Sequence, residues 1–439
     1  MSGSNGLRQT RLPSFPLLAN CPSQTAFETP ILTGSKSTPS SDRTSRRSFG
    51  VEKSESVEDK KVVKAITAET LVALVALGGI FGFIAWRMGL ANMFGTMMAT
   101  AHDLMLNTVF FLMAVIILAG AFTSLLSEFG IVSVANRILS PLMKPLFGLP
   151  GAASIGVVAT YLSDNPAIMP LSSEKGFLKY FKRWEVTTLV NLGTVFGMGL
   201  IVTTFMLTQS TDTASMGRAV LLGNIGAIMG GIVSVRLIGH FGKKKYGQDA
   251  AVVAADDETY DLVRYREVRL GNPMQRVLQS LLDGGVHGVK TGLNIMPGII
   301  VITTAVMMLA YGPGLEGYTG GLHEGIGLFP WVGAQLSFII EPVFGFTSPE
   351  AIAFPVTSLG SVGASLAMVP QFLQSGIIDA NGICVYTAIG ICNAGFLSTH
   401  VGMMDGIGER SLTSVAIASH AIGGLFAGFS GHMLFNIFG

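Results

Sequence analysis

The chain has 439 residues, of which 49% are hydrophobic and only 13% charged, with a formal net charge of +1. Soluble domains carry about 25% charged residues, so this composition, with a mean hydropathy of +0.55, excludes an ordinary water-soluble globule and points to an integral membrane protein. The near-zero net charge gives no footing for nucleic acid, and Cys21, Cys384 and Cys392 are spaced for neither a zinc site nor a disulfide framework.

Residues 1–62 are rich in Ser, Thr, Pro and Arg and cannot bury a core. They read as a disordered cytosolic tail; no apolar stretch precedes a cleavage site, so they are not a secretory signal. Residues 68–86 form the first candidate span and 107–127 the second. Residues 131–147, with Arg137 and Lys144, read as an amphipathic interfacial helix. Residues 151–162 are apolar but short of the roughly 20 residues that cross a bilayer as a helix. They end at Ser163-Asp164-Asn165-Pro166, and 167–171 resume apolar. Two short helices about a polar break predict a re-entrant hairpin, which is tolerated at depth only where it is buried in protein or lines a cavity.

A charged loop, 174–185, leads to spans at 186–207 and 219–238, and then to a polar segment, 239–285, that contains Lys243-Lys244-Lys245. The order then recurs. A span at 291–311 precedes a second interfacial helix, 327–344. A second hairpin, 349–370, breaks near Ser358-Leu359-Gly360-Ser361, and spans follow at 383–396 and 415–438. The expectation is seven spans and two hairpins. The chain divides into a tail (1–62), a first membrane region (63–240), a cytosolic loop (241–285) and a second membrane region (286–439).

The recurrence has a fixed offset. Pro145-Leu146-Phe147-Gly148 returns as Pro342-Val343-Phe344-Gly345, 342 minus 145 or 197 positions later, and at that offset Gly130, Leu139 and Ser140 meet Gly327, Leu336 and Ser337. Lys and Arg concentrate in the tail, 137–144, 175–183 and 243–276, while 208–216, 312–325 and 371–381 lack them. Positive loops stay cytosolic, so the N-terminus is cytosolic and the two repeats run in opposite senses. The predicted fold is therefore an all-α polytopic membrane protein of two inverted repeats, each with a re-entrant helical hairpin. That is the layout of secondary transporters, whose sites form where broken helices meet.

Ser163, Asp164 and Asn165 are the sharpest candidates for a site. An intramembrane carboxylate needs pairing, water or a cation, and the flanking half-helices aim their dipole ends at the break. Asp164 also suits a plain helix cap, and the two roles are compatible. Ser358, Gly360 and Ser361 bring hydroxyls and backbone to the second break, as a binding or a packing turn. Asn393, Ser398 and Thr399 interrupt a span, either for a ligand or as hydrogen-bonding glue between helices. His400 reads as structural, and Asn191, the counterpart polar group in the first half, serves packing at least as readily as a ligand. No phosphate-binding loop, zinc motif or nucleophile elbow is present, so neither an ATP-driven pump nor an enzyme is expected, and no metal site or cofactor.

Several of these stretches resemble the nucleoside-recognition, or Gate, family, which is related to concentrative nucleoside transporters, ferrous-iron permeases and spore-maturation membrane proteins. The resemblance rests on Pro141…Pro145-Leu-Phe-Gly-Leu-Pro150 with the helix before it and on its second copy at Pro342. Ser163-Asp164-Asn165-Pro166 is similar to the Ser-Glu-Ser-Pro hairpin tip of nucleoside transporters, with Asp for Glu. Residues 398–402 and 406–410 are similar to their Ser-Ser-Ile-Gly run and its sequel, although Asn393 stands one helical turn from the family's Asn; within the family the chain resembles the YjiH-like branch, for which the resemblance implies no firm substrate. The resemblance implies a secondary transporter of a small polar, nucleoside-like solute, coupled to Na+ or H+, working by alternating access as a homo-oligomer in the bacterial inner membrane. The alternatives are a non-transporting partner in a membrane complex and a metal-ion permease, the latter disfavoured by few His and Cys near the hairpins.

Overall fold

The computed structural model describes residues 64–209, 213–252, 265–314 and 316–439. The expected tail therefore lies outside the described residues. The helical body is Ile66–Gly439, and among the described residues no strand forms beyond two isolated bridges.

The helices that build the spans and the two hairpins are, in order, α1 (Ala68–Met88), α2 (Leu90–Glu128), α3 (Ile131–Phe147), α4 (Ala153–Leu162), α5 (Ile168–Ser173), α6 (Leu189–Val195), α7 (Gly199–Leu207), α8 (Thr213–Tyr246), α9 (Pro273–Ala310), α10 (Leu328–Phe344), α11 (Ala353–Gly360), α12 (Val362–Leu366), α13 (Ala380–Asn393), α14 (Phe396–Gly406) and α15 (Thr413–Phe438), with short helical turns at Lys175–Leu178, Arg183–Val186 and Val369–Gln374 between them. Six helical stretches among the described residues are long and apolar enough to cross a membrane, one of them running through α6 and α7. A seventh arises if α10 and the segment Pro349–Gly360, bent by 73°, are taken together.

Two spans are longer than their apolar stretches suggest. Helix α2 begins at Leu90, ahead of the expected 107, and α9 at Pro273, ahead of 291. Both carry polar residues in their early turns that hydropathy discounts, such as Asp103, whose carboxylate accepts from Asn107 one turn on at 2.7 Å. The start of α9 is fixed by a reciprocal cap, with Gln275 N–H on Asn272 at 2.9 Å and Asn272 N–H on Gln275 at 3.1 Å, and by Pro273 in the first turn. The expected span 383–396 is instead a 14-residue helix that stops at Asn393 and restarts at Phe396. Gly395 between them, at φ 72°, adopts the left-handed conformation that ends a helix.

The repeat is visible in how the helices pack. Along α8 and α15, a methyl on Gly226 would sit 2.9 Å from the carbonyl of Ala427, and one on Gly230 would sit 2.5 Å from the Ala427 methyl. Gly230 also abuts Gly423. As one helix advances the other retreats, so they are antiparallel, and Gly230 meets Ala427, its own repeat mate at 197. The same holds for α2 and α9. A methyl on Gly120 would sit 2.6 Å from the Gly284 carbonyl, and methyls on Gly288 and Gly292 would meet Ile117 and Met113, while Met93 at the far end packs with Met308. Between these contacts both helices loosen into π-helical turns, Leu104–Val109 and Ile299–Thr303, which touch. Two antiparallel pairs of equivalent helices define an internal two-fold, which makes the repeats inverted. Close approach of small residues is the main attraction open to helices already solvated by lipid.

Candidate functional site

The two hairpins are built alike. Helix α4 ends at Leu162; Asp164, extended at φ −151°, then caps the following turn, its carboxylate accepting the Asn165 N–H at 2.7 Å, with Pro166 in that turn. Helix α11 ends at Gly360, and Ser361, at φ −159°, caps α12 by accepting the Ala364 N–H at 3.2 Å. Asp164 and Ser361 are repeat mates, 197 positions apart. The break of the α13–α14 helix also has a mate. Gly395 corresponds to Met198, which adopts the left-handed region at φ 57° as a non-glycine residue and starts α7.

Both hairpin tips reach the α13–α14 break. From the first, the buried Asn165 amide donates to Thr399 Oγ1 at 2.8 Å and lies 3.5 Å from the Ala394 carbonyl. From the second, the Ser358 carbonyl accepts the Gly395 N–H at 3.2 Å, and the Asn393 amide donates to Ser358 Oγ at 3.2 Å. Asn165, Ser358, Asn393 and Thr399 thus form one polar seam at the break. The Oδ1 of Asn393 is buried without a partner.

The remaining candidates stand apart from this seam. Asp164 is half-buried and makes no ion pair among the described residues. Ser163 lies 3.2 Å from His287 Nε2 on α9. Ser361 packs against Gly298, further along α9, and Gly360 faces open space. The side chain of Ser398 lies outside the described residues.

Behind the seam runs a chain of hydrogen bonds whose direction is set by its chemistry. His420 Nε2 lies 2.7 Å from the Cys392 carbonyl, which can only accept, so this nitrogen carries the proton. Nδ1 of His420 then accepts from Ser234 Oγ at 3.1 Å, and Ser234 accepts from the Asn191 amide at 3.0 Å. The Asn191 oxygen, in turn, takes the proton of His400 Nε2 at 3.3 Å. All four side chains are buried. The break deprives the carbonyls at the end of α13 of helical partners, and His420 supplies one. Asn191 and His400 are therefore structural, as their sequence context suggests. Ser234 and His420 were not legible, because a single polar residue on a long glycine-rich helix has no distinguishing pattern.

A second feature absent from the sequence reading is Glu409, fully buried just past α14. It accepts from Arg183 at 2.6 Å, Lys245 at 2.9 Å and the Tyr246 hydroxyl at 2.8 Å. This clamp ties the end of α14 to α8 and to the turn before α6.

Residues 109–210 match the Gate family model, described as nucleoside recognition. The Gate segment runs from the later turns of α2 through the first hairpin to α7, which is the first copy of the repeat. No match is found among curated proteins. Among solved structures the chain is similar to CNTnw in an inward-facing substrate-bound state, at 12% identity, with 84% of this chain and 85% of that one covered and a TM-score of 0.49. It is also similar to a doubly substituted CNTnw in an outward-facing state, at 11% identity, covering 85% and 87% with a TM-score of 0.48.

Proposed function

We propose that this protein is a secondary transporter of a small polar solute. The single observation that carries the reading is the polar seam, in which the tips of two symmetry-related hairpins both bond to one broken helix. A solute held there would be flanked by two hairpins of opposite sense, the arrangement alternating access requires. The Gate segment supports a nucleoside-like solute, whose hydroxyls and ring nitrogens suit the amides of Asn165 and Asn393 and the hydroxyls of Ser358, Thr399 and Ser398, with Ser361 closing the second hairpin over it. Asp164, with Ser163 beside it, would take a coupling Na+ or H+, and Gly360 would leave room for the second hairpin to move. The basic loops favour a cytosolic N-terminus, and a bacterial inner membrane and a homo-oligomer complete the proposal.

The test is uptake of labelled uridine and adenosine into proteoliposomes, with and without an inward Na+ or proton gradient. Gradient-dependent uptake is expected, and Asp164→Asn should abolish it while the protein still inserts and elutes normally. Gradient-driven uptake that is unchanged in Asp164→Asn would refute the role of Asp164. Absence of uptake of any nucleoside by well-folded protein would refute the substrate class.

A further inference from the structure

A groove runs between α3 and α8, and its character changes along its length. At the level of Leu142, Ala227 and Ile228 it is an apolar cavity of about 400 Å³, with Ile131, Leu142 and Ile228 exposed along it. Phe147 closes this part and also lines the next, a hollow of about 210 Å³ that contains Arg236, His240 and Lys243. That hollow shares Gly148, Trp184 and Lys243 with a third, of about 410 Å³, lined by Lys144 and Lys182. From Ile228 to Arg236 is eight residues of helix, about 12 Å at 1.5 Å per residue. The groove therefore passes from hydrocarbon character to a cationic mouth over less than half a bilayer thickness.

The charges at the mouth do not cancel. Arg236 donates to the carbonyls of Leu146 (2.6 Å) and Pro145, the last turn of α3, and keeps its charge. Lys182 pairs with Asp249 at 3.0 Å. Glu185 is the carboxylate at the rim; it accepts the Lys182 backbone N–H at 2.7 Å, and its charge is shared between the Lys182 and Lys243 ammonium groups. Lys144 and Lys243 make no ion pair among the described residues; Lys243 sits 4.2 Å over the Trp184 ring, and Lys144 is exposed. Helix α3 is itself strongly amphipathic, with its apolar face toward the groove, which suits a helix lying at the interface.

We infer that this groove is a binding site for an anionic phospholipid, with an acyl chain along the Leu142–Ile228 floor and the phosphate between Lys144 and Lys243. Lys144 makes no ion pair among the described residues and Lys243 shares the Glu185 carboxylate with Lys182, so a neutral ligand would leave positive charge in excess, and a free anion would leave the apolar floor unfilled. Basic pockets between membrane helices on the cytoplasmic side are suited to such headgroups.

The test is native mass spectrometry of the full-length protein in neutral detergent, offered phosphatidylglycerol and phosphatidylcholine of the same chains. Preferential retention of phosphatidylglycerol is expected. The preference should fall about fivefold for each lysine removed in Lys144→Gln and Lys144→Gln/Lys243→Gln; the single variant serves if the double one does not fold. Ile228→Trp, which fills the floor at a partly exposed position, should lower retention of both lipids. Equal retention of the two lipids by the wild type, or a preference that survives the double variant, would overturn the site. Two further outcomes would also overturn it: inorganic phosphate displacing phosphatidylglycerol completely, which makes it a free-anion site, and Ile228→Trp dissociating an oligomer with lipid retention unchanged, which assigns the groove to a second copy.

Discussion

Replacing Gly230 by valine tests the internal two-fold directly. In the structure a Cβ at this position falls 2.5 Å from the Ala427 methyl and also meets the Gly423 carbonyl. Carbon atoms settle at about 3.5–4.0 Å, so α8 and α15 must separate by about 1 Å, and the neighbouring contacts at Gly226 weaken with them. Overpacking of this kind costs about 1–3 kcal/mol, and valine, with two further methyls, belongs at the upper end. The assay is the apparent unfolding midpoint in detergent. Gly79→Val on α1, where an added Cβ meets nothing within 4 Å, is the control and should be neutral. Ala427→Gly removes the repeat mate's methyl and should partly rescue Gly230→Val, with a coupling of about 0.5–3 kcal/mol. A Gly230→Val protein as stable as wild type, or one that Ala427→Gly does not rescue, would refute the antiparallel contact and the inverted repeat built on it.

Glu409→Gln should lower stability by about 1–2 kcal/mol in a denaturant titration; breaking a buried pair costs more in general, but Arg183 and Lys245 are 32% and 34% exposed and water screens them. His420→Leu should cost about 1–3 kcal/mol by leaving the Cys392 carbonyl and Ser234 unpaired, read as a lower unfolding midpoint. Glu324, buried in the loop before α10, feels burial pushing its carboxyl up, but the Thr319 hydroxyl and the N–H groups of Thr319 and Gly320 outweigh this and hold it below the ordinary 4.5. A lowered carboxyl contributes stability that is fully present above its unfolded value and lost as pH falls through its folded one. The wild type should therefore lose stability below about pH 4.5 more steeply than Glu324→Gln, and identical acid titrations would contradict this.

The sequence carried the architecture because a membrane imposes few solutions. The interfacial helix 131–147 was legible to the residue, since its amphipathic pattern is bounded by glycines that end it, Gly130 and Gly148, both at positive φ. The hairpin breaks were legible from Asp164-Asn165-Pro166 and Gly360-Ser361, where polar caps interrupt apolar runs. Hydropathy failed on the early turns of α2 and α9 because their polar residues face helices or the interface, and it cannot count such surface as membrane helix. The Asn165–Thr399 and Ser358–Asn393 contacts join residues 234 and 35 positions apart, so no local pattern could pair them. Glu409 was invisible for a related reason: its partners come from two distant segments, and a lone acid after a helix looks like a solvated end.

The π-helical turns in α2 and α9 bear on motion as well as on packing. A π turn is a helix holding one residue too many, bonded from each N–H to the carbonyl five residues back. Sliding that surplus residue by one position keeps the number of bonds and turns only the residue it passes, by about 100°, while the helix on either side keeps its place. Because the two π turns touch within the α2–α9 crossing, each helix can re-aim the side chains it sets against the other. The residues that meet at this contact can therefore change while both ends of α2 and α9 stay in place, without unwinding either helix.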